Sequence, residues 1–158
     1  MRPLAKSALV GFTLVELMIA VVVAGILAAV AYPAFTSSLQ RSRRSDAMAV
    51  LTTIVQAQER YRSNHSAYAN DVGGDGLGID VSKISKYYTV SLAGVGATQS
   101  FAYGYMLSAK AKQGSPQDQD FKCFYLNVKL ESTVFSYLSA DSGGNDTTND
   151  AGARCWSR

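Results

Sequence analysis

An uninterrupted apolar segment near the N-terminus constrains this chain more than any other feature. Between Glu16 and Arg41 the sequence has no charged residue. The stretch Leu17–Leu39 has about 23 residues, enough for a helix to cross a hydrocarbon core of about 30 Å. A short leader that carries Arg2 and Lys6 precedes it. We therefore expect a membrane helix, with the rest of the chain forming a domain attached to it.

A single carboxylate, Glu16, lies at the start of this segment and narrows its interpretation. A cleaved secretory signal has a shorter apolar core, without a carboxylate in it. In a plain membrane anchor, Glu16 would be a costly unpaired charge. The third interpretation is a helix that stays in the mature protein and uses Glu16. A cut after Gly11 would place the new α-amino group of Phe12 one turn before Glu16, in the same chain or in a neighbour.

The sequence around Gly11 resembles the class III signal of type IV prepilins. The run Gly11-Phe12-Thr-Leu-Val-Glu16 contains the cut-site glycine, the phenylalanine and the glutamate of that signal. The resemblance implies that a membrane peptidase cuts between Gly11 and Phe12 and methylates the amino group of Phe12. It also implies that Glu16 acts in subunit assembly. The sequence departs from the pattern at Leu9 and Val10, because many family leaders carry charge closer to the cut.

Gly25 and Pro33 interrupt the apolar run. Glycine weakens a helix modestly, and proline removes a backbone hydrogen bond and kinks the helix. Both residues could simply bend a membrane helix, which tolerates them. The resemblance to pilins implies instead that they bracket a segment that loses helical structure in the filament. We expect this second behaviour for residues 25–33.

Residues 40–62 are predicted to continue the helix as an amphipathic segment. Side chains at three- and four-residue spacing form one stripe that is expected to pack on a sheet. The stripe consists of Ala47, Met48, Leu51, Ile54, Val55, Gln58 and Tyr61. The opposite face is charged, and the arginines at 41, 43 and 44 are expected to be solvated. An acidic partner on a neighbouring subunit is the alternative for them.

The rest of the chain predicts a turn-rich loop followed by a sheet. The loop covers residues 63–85, and its glycine-rich part is a poor calcium loop because Gly73 and Ser82 occupy ligand positions. Alternating segments predict four strands, at Tyr87–Leu92, Phe101–Leu107, Phe121–Leu130 and Val134–Leu138. Hairpin-length connections favour an antiparallel sheet with one face on the long helix, so the fold class is α+β.

The two cysteines, Cys123 and Cys155, lie in the C-terminal third. In an exported domain an even count is a candidate disulfide, whereas two buried thiols in a cytosolic protein are the alternative. The apolar segment favours export. Cys123 is expected on the third strand, and a bridge would hold the polar segment 141–154 at its end. The pair Cys155-Trp156 resembles the C-terminal disulfide region of type IV pilins.

The sequence offers no arrangement of catalytic residues. The single histidine, His65, lies in a serine- and glycine-rich loop, and no glycine-rich loop opens a helix that could hold a phosphate. There is no cluster of cysteine and histidine that would predict a zinc site. We therefore expect neither enzymatic activity nor a cofactor.

Over nearly its whole length the chain resembles the type IV pilin family, most of all minor pilins of the PilE type, and the resemblance is most specific in the N-terminal segment. This implies a cleaved leader at 1–11, a transmembrane and filament-core helix at 12–39, and a periplasmic body at 40–158. The body would contain the sheet at 87–138 and a disulfide-bounded region at 123–155. The implied function is that of a pilus subunit with roles in assembly, adhesion or twitching motility.

The resemblance also implies the partners and the location. The partners are other pilin subunits, the prepilin peptidase and N-methyltransferase, the assembly machinery of the inner membrane, and lipid before assembly. The arginines after the apolar run would favour a cytoplasmic body by the positive-inside rule. The cysteines and the family favour a periplasmic body that later joins a cell-surface pilus, and this is the orientation that we expect.

Two alternative functions remain open at this point. One is a pseudopilin of type II secretion, and the other is a DNA-uptake receptor displayed on a pilus. The formal net charge is +3, of which Arg2 and Lys6 belong to the leader, so nucleic acid is not the expected partner. A DNA receptor would require scattered lysines to form one surface: Lys83, Lys86, Lys110, Lys112, Lys122 and Lys129.

Overall fold

A computed structural model describes residues 11–150 and 154–156. The helix α1 runs from Leu14 to Arg62 without interruption. By its contacts the chain divides into two units, one ending at Ser38 and the other beginning at Leu39. In the first unit the apolar side chains of α1 are exposed. This part of α1 is long and apolar enough to cross a membrane.

The second unit is built around a four-stranded antiparallel sheet. Its strands are β1 (Tyr88–Val95), β2 (Ser100–Ala111), β3 (Tyr125–Glu131) and β4 (Val134–Ala140), which lie side by side in that order. Each strand pairs with the next one along the chain, so hairpin connections suffice. The long helix and this sheet confirm the predicted α+β fold.

The core lies between the second half of α1 and one face of the sheet. Ala47, Leu51 and Ile54 are fully buried against apolar side chains of the strands. The register pairs Leu107 with Val128, which places these two residues on the same face. The predicted stripe is therefore correct at its centre. Its margins, Met48, Val55 and Tyr61, are only partly buried, whereas Ala57 and Gln58 are buried.

The strands are longer than the sequence predicts at the β1–β2 hairpin. Residues 93–96 have a turn-like sequence, yet β1 continues to Val95 through an irregularity at Gly94. A Cβ atom at Gly94 would lie 2.0 Å from the carbonyl oxygen of Gln99, so only glycine permits this approach. β2 extends to Ala111 because strands pair with it on both sides, which outweighs the low strand propensity of alanine.

The prediction that places Cys123 on a strand is wrong. Phe121–Cys123 forms a short 3₁₀ helix, and β3 begins only at Tyr125. The Cys123 amide donates to the carbonyl of Asp120, which bends the chain before it enters the sheet. The predicted loop 63–85 also ends in a helical turn, α2 (Ser82–Ser85), where the Asp80 carboxylate accepts the amide and the hydroxyl of Ser82.

The hairpin between β3 and β4 closes through the two residues Ser132 and Thr133. Their φ angles are 50° and 70°, and the flanking pair is Glu131 with Val134. Two-residue hairpins prefer asparagine and glycine at such positions, because a side chain is strained at positive φ. β4 therefore keeps its register with β3 although Ser132 and Thr133 are unfavourable turn residues.

Candidate functional site

The exposed apolar half of α1 is the first candidate site. From Leu14 to Phe35 the large apolar side chains are mostly more than half exposed. Exposed apolar surface on this scale marks an interaction with lipid or with other protein chains. Glu16 lies within it, in the first turn of α1.

Glu16 and Thr13 are joined by reciprocal hydrogen bonds at the start of α1. The Thr13 amide and hydroxyl both donate to Glu16 Oε2, at 3.4 and 3.2 Å, and the Glu16 amide donates to Thr13 Oγ1 at 3.2 Å. The Leu17 amide donates to the Thr13 carbonyl at 3.2 Å. This is a capping box with Thr13 as the N-cap residue. The sequence analysis missed it, although Thr13-x-x-Glu16 before an apolar run is its signature.

The predicted cut site lies immediately before this cap. Gly11, Phe12 and Thr13 have no regular secondary structure, and Phe12 is 81% exposed. The pairing of Glu16 with an amino group of Phe12 stays a prediction, since the observed contacts of the carboxylate are with Thr13. Gly25 and Pro33 lie inside the continuous helix. The hydroxyl of Thr36 donates to the Pro33 carbonyl at 3.0 Å.

The arginines that follow the apolar segment do not share one environment. Arg41 is exposed, as expected. The expectation of a solvated side chain is wrong for Arg44, whose Nε lies 3.2 Å from Asp120 Oδ2, with side chains only 12% and 11% exposed. Arg44 also donates to Cys123 Sγ. The sequence could not show this pair because the two charges lie 76 positions apart in the chain.

Asp120 connects α1 to the disulfide-bearing segment. Gln117 Nε2 donates to Asp120 Oδ2 at 2.8 Å, and Cys123 forms a disulfide with Cys155. Burial raises the pKa of the Asp120 carboxyl above its ordinary value, while the Arg44 guanidinium and these hydrogen bonds act against the rise. The predicted disulfide is confirmed, and it lies against this nearly buried ion pair.

The six lysines of the candidate nucleic-acid surface separate into two groups. Three of them pair with carboxylates: Lys83 with Asp46, Lys122 with Asp150, and Lys129 with Glu131. The other three, Lys86, Lys110 and Lys112, form no such pair within the part of the chain that the structure describes. Each lysine of the first group therefore has a carboxylate within 3.3 Å, whereas the second group has no such neighbouring negative charge among the described residues.

The unpaired lysines lie near the same end of the sheet, where β1 begins and β2 ends, and Lys110 projects from the face opposite the core because Ala109 and Ala111 on either side of it are buried. The Lys112 amide donates to the Tyr87 carbonyl at 2.8 Å. Lys86 Nζ lies 5.8 Å and the Arg43 guanidinium 4.4 Å from the centre of the Tyr87 ring. Lys110 Nζ lies 5.5 Å from the ring of Tyr125. We call Arg43, Lys86, Tyr87, Lys110, Lys112 and Tyr125 the basic–aromatic cluster.

The loop considered for calcium offers little for a metal ion. Its turns are closed by backbone hydrogen bonds, such as the Gly78 amide to the Gly73 carbonyl at 2.7 Å. Among the described residues, no three histidine, cysteine, aspartate or glutamate side chains converge as a metal site would require. His65 stacks on Tyr61 with ring centres 3.8 Å apart.

Two family models match the chain in succession. Residues 11–32 match the prokaryotic N-terminal methylation motif, and residues 33–127 match a model described as type IV minor pilin ComP, DNA uptake sequence receptor. The chain belongs to the type IV pilin family. The methylation motif begins at Gly11, and the second model covers the end of the apolar segment, the loop, and the sheet as far as Asn127.

Individual relatives agree with this assignment. The chain is 32% identical to the type IV major pilin PilE of Neisseria gonorrhoeae over 145 residues, which are 86% of this chain and 85% of PilE. It is 42% identical over 66 residues to the major pilin PilA of Myxococcus xanthus, covering 40% of this chain and 30% of PilA. These relatives are structural subunits, which confirms that the protein is not an enzyme.

The family assignment establishes the general function. The protein is a type IV pilin with an N-terminal methylation motif, of a class anchored in the membrane by an apolar helix before assembly into a surface pilus. The matched family model describes a minor pilin, whereas the relatives named PilE and PilA are described as major pilins.

Proposed function

We propose that this protein is a minor subunit of a type IV pilus, anchored in the inner membrane and then packed into the filament through the first half of α1. The observation that carries the proposal is the exposed apolar surface of that half, with Glu16 as its one carboxylate. The disulfide supports a periplasmic location for the second unit, because disulfides persist in oxidising compartments.

Processing is the first part of the proposal. A prepilin peptidase cuts between Gly11 and Phe12, and the new amino group of Phe12 is methylated. The match of the methylation motif from Gly11 onward supports this assignment. Mass spectrometry of the protein isolated from its host tests it: we expect a chain that begins with N-methylated Phe12. A mature chain that still begins with Met1 contradicts it.

Assembly through Glu16 is the second part. After the cut, the carboxylate lies one turn from the Phe12 amino group of its own chain or of a neighbour, and opposite charges attract strongly in an apolar setting. We expect Glu16→Ala to remove most of the leader-cleaved subunit from sheared pili. Glu59→Ala is the matched control, since Glu59 is an exposed carboxylate in the second half of α1. Equal incorporation of both variants would contradict the role.

Residues 25–33 are proposed to lose helical structure in the filament. Pro33 has no amide hydrogen to donate to the carbonyl of Ala29, so this part of α1 has fewer hydrogen bonds to break. Gly25 adds to the backbone entropy gained on unfolding. Pro33→Ala together with Gly25→Ala should keep the segment helical, which hydrogen exchange on intact filaments would report as slower amide exchange.

The minor-pilin assignment rests on the description of the family model that covers 33–127. The abundance of the protein in sheared pili tests it, because a minor subunit is present at a small fraction of the major one. A gene deletion adds a second readout. Loss of pili, adhesion or twitching supports a pilus subunit, whereas loss of protein secretion with normal pili supports a type II secretion pseudopilin.

Contact with DNA is a second candidate function, favoured by the basic–aromatic cluster and by the matched receptor model. Lysine and arginine neutralise phosphates, and tyrosine rings stack on bases. We expect the triple variant Lys86→Ala, Lys110→Ala, Lys112→Ala to weaken DNA binding. The slope of log K against log salt concentration, which is negative, should become less steep by about 2–3.

A matched variant makes this test specific. Lys83→Ala, Lys122→Ala and Lys129→Ala remove the same formal charge from lysines that are already paired. In a gel-shift titration at several salt concentrations, this variant should bind DNA almost as the unmodified protein does. Equal losses in both triple variants would show only a dependence on net charge and would contradict a DNA site at the cluster.

A further inference from the structure

We propose that Thr13 is a positioning residue for leader cleavage, because its capping box with Glu16 starts α1 two residues beyond the scissile bond. The bond between Gly11 and Phe12 is thereby kept out of the helix and open to the peptidase. This inference rests on the proposed processing and extends it to a residue outside the cut site and the assembly glutamate.

The hydrogen bonds at the helix start carry the argument. The Thr13 hydroxyl accepts the Glu16 amide, and Glu16 Oε2 accepts both the amide and the hydroxyl of Thr13. The amides of Thr13 and Glu16 therefore have partners without an additional helical turn upstream. The first main-chain bond of the helix, from the Leu17 amide to the Thr13 carbonyl, fixes the same starting point.

The apolar surroundings make this cap more important than in a water-exposed helix. In water, an uncapped helix frays, because solvent satisfies the free amides. Next to lipid, an unsatisfied amide is costly, so the helix gains by growing upstream to recruit further carbonyls. Without the cap, the amides of Val15 and Glu16 would bond to the carbonyls of Gly11 and Phe12.

Such growth would make Gly11 the N-cap residue and Phe12 the first residue of the helix, so the scissile bond would become part of the helix start. Cleavage adds water to the Gly11 carbonyl carbon, breaks its bond to the Phe12 nitrogen, and transfers a proton to that nitrogen. In a helix, the Gly11 carbonyl is engaged as an acceptor and the surrounding turns block the approach of the water. In the observed structure, Gly11 and Phe12 precede the helix and are exposed.

The test compares caps of different chemistry in the full-length precursor. Membranes that contain the unmodified chain, Thr13→Ser, Thr13→Asn or Thr13→Val are incubated with the purified prepilin peptidase. Intact mass then follows the loss of the leader. Serine and asparagine are good N-cap residues, whereas valine matches threonine in shape but cannot accept a hydrogen bond. We expect the serine and asparagine variants to be cut within about twofold of the unmodified rate, and the valine variant about fivefold more slowly.

Each outcome is decisive. If Thr13→Val is cut as fast as the unmodified chain, the cap does not position the bond. If Thr13→Asn is as slow as Thr13→Val, the peptidase reads the hydroxyl directly, and the capping proposal is also overturned. If the unmodified chain is not cut after Gly11 at all, the processing part of the proposed function fails as well. Cutting of all chains at equal rates leaves processing intact and removes only the role of Thr13.

Discussion

At the scale of single residues, the pair formed by Arg44 and Asp120 has the clearest energetic consequence. Both side chains are nearly buried, so removing one partner leaves the other as an unpaired charge. We expect Arg44→Met to lower the free energy of unfolding by about 3 kcal/mol. The double variant Arg44→Met, Asp120→Leu should recover most of that loss, because no buried charge remains.

Chemical unfolding of the detergent-solubilised chain provides the measurement. The fluorescence of Trp156 is a suitable signal, since its indole nitrogen donates to the Leu138 carbonyl and its ring packs on Tyr137. Arg41→Met serves as the control, because Arg41 is exposed on the same helix. A double variant as unstable as Arg44→Met would show that the loss comes from packing and not from the unpaired charge.

Asp120 also predicts a dependence of stability on pH. Burial raises the pKa of its carboxyl in the folded chain above the ordinary value of 3.8, so the folded state binds a proton more tightly than the unfolded state. Protonated Asp120 therefore stabilises the folded chain at pH values below the ordinary carboxyl pKa. This stabilisation is lost as the pH rises through the raised pKa that Asp120 has in the folded chain. The difference in unfolding free energy between the unmodified chain and Asp120→Asn should fall across this window and stay constant above it. A difference that rises with pH there would contradict the assignment.

At the scale of elements, Gln58 holds the loop after α1 against the helix. Its amide nitrogen donates to the Ala69 carbonyl at 2.8 Å, and its amide oxygen accepts the Ala69 amide at 2.9 Å. Gln58→Leu would leave two buried main-chain groups without partners, at a cost of about 3 kcal/mol. Gln56→Leu on the exposed side of α1 should change the unfolding free energy by less than about 0.5 kcal/mol. Equal effects would show that the bonds to Ala69 are not the cause.

The β3–β4 hairpin is expected to gain stability from a better turn sequence. Ser132 and Thr133 both have positive φ, which asparagine and glycine adopt with less strain. Ser132→Asn with Thr133→Gly should raise the free energy of unfolding by about 1 kcal/mol. Thr98→Gly is the control, since Thr98 does not have a positive φ and glycine there only adds flexibility to the unfolded chain. No gain in the hairpin variant would mean that the turn is not strained.

At the scale of the whole molecule, the disulfide joins the C-terminal segment to the 3₁₀ helix that precedes β3. Cys123 and Cys155 are separated by 32 residues, and both are buried. Replacing both with serine should lower the free energy of unfolding by about 3 kcal/mol. Limited proteolysis should then cut within 141–150 before it cuts the strands. The unmodified chain under reducing conditions should behave in the same way, and a normal protease pattern in both would contradict the role of the bridge.

Local sequence patterns correctly predicted the features that depend only on residues close together in the chain. The apolar length of residues 17–39 and the stripe around Leu51 predicted the long helix, because helical periodicity depends only on neighbours within a turn or two. Alternation predicted four strands in the correct order. The signature Thr13-x-x-Glu16 is equally local, because it joins residues within one helical turn.

By itself, the sequence determined that an apolar N-terminal helix with a single carboxylate leads into an α+β body of the pilin type. Only the tertiary structure decided where distant residues meet. In the structure, Arg44 pairs with Asp120 and Cys123 lies in a 3₁₀ helix instead of a strand. Three of the six candidate lysines pair with carboxylates, and three do not within the described residues. The reason is that ion pairing, burial and strand ends depend on contacts between segments far apart in the chain, which local propensity does not encode. The cap at Thr13 is different, because its hydrogen bonds join residues only three positions apart and are therefore local.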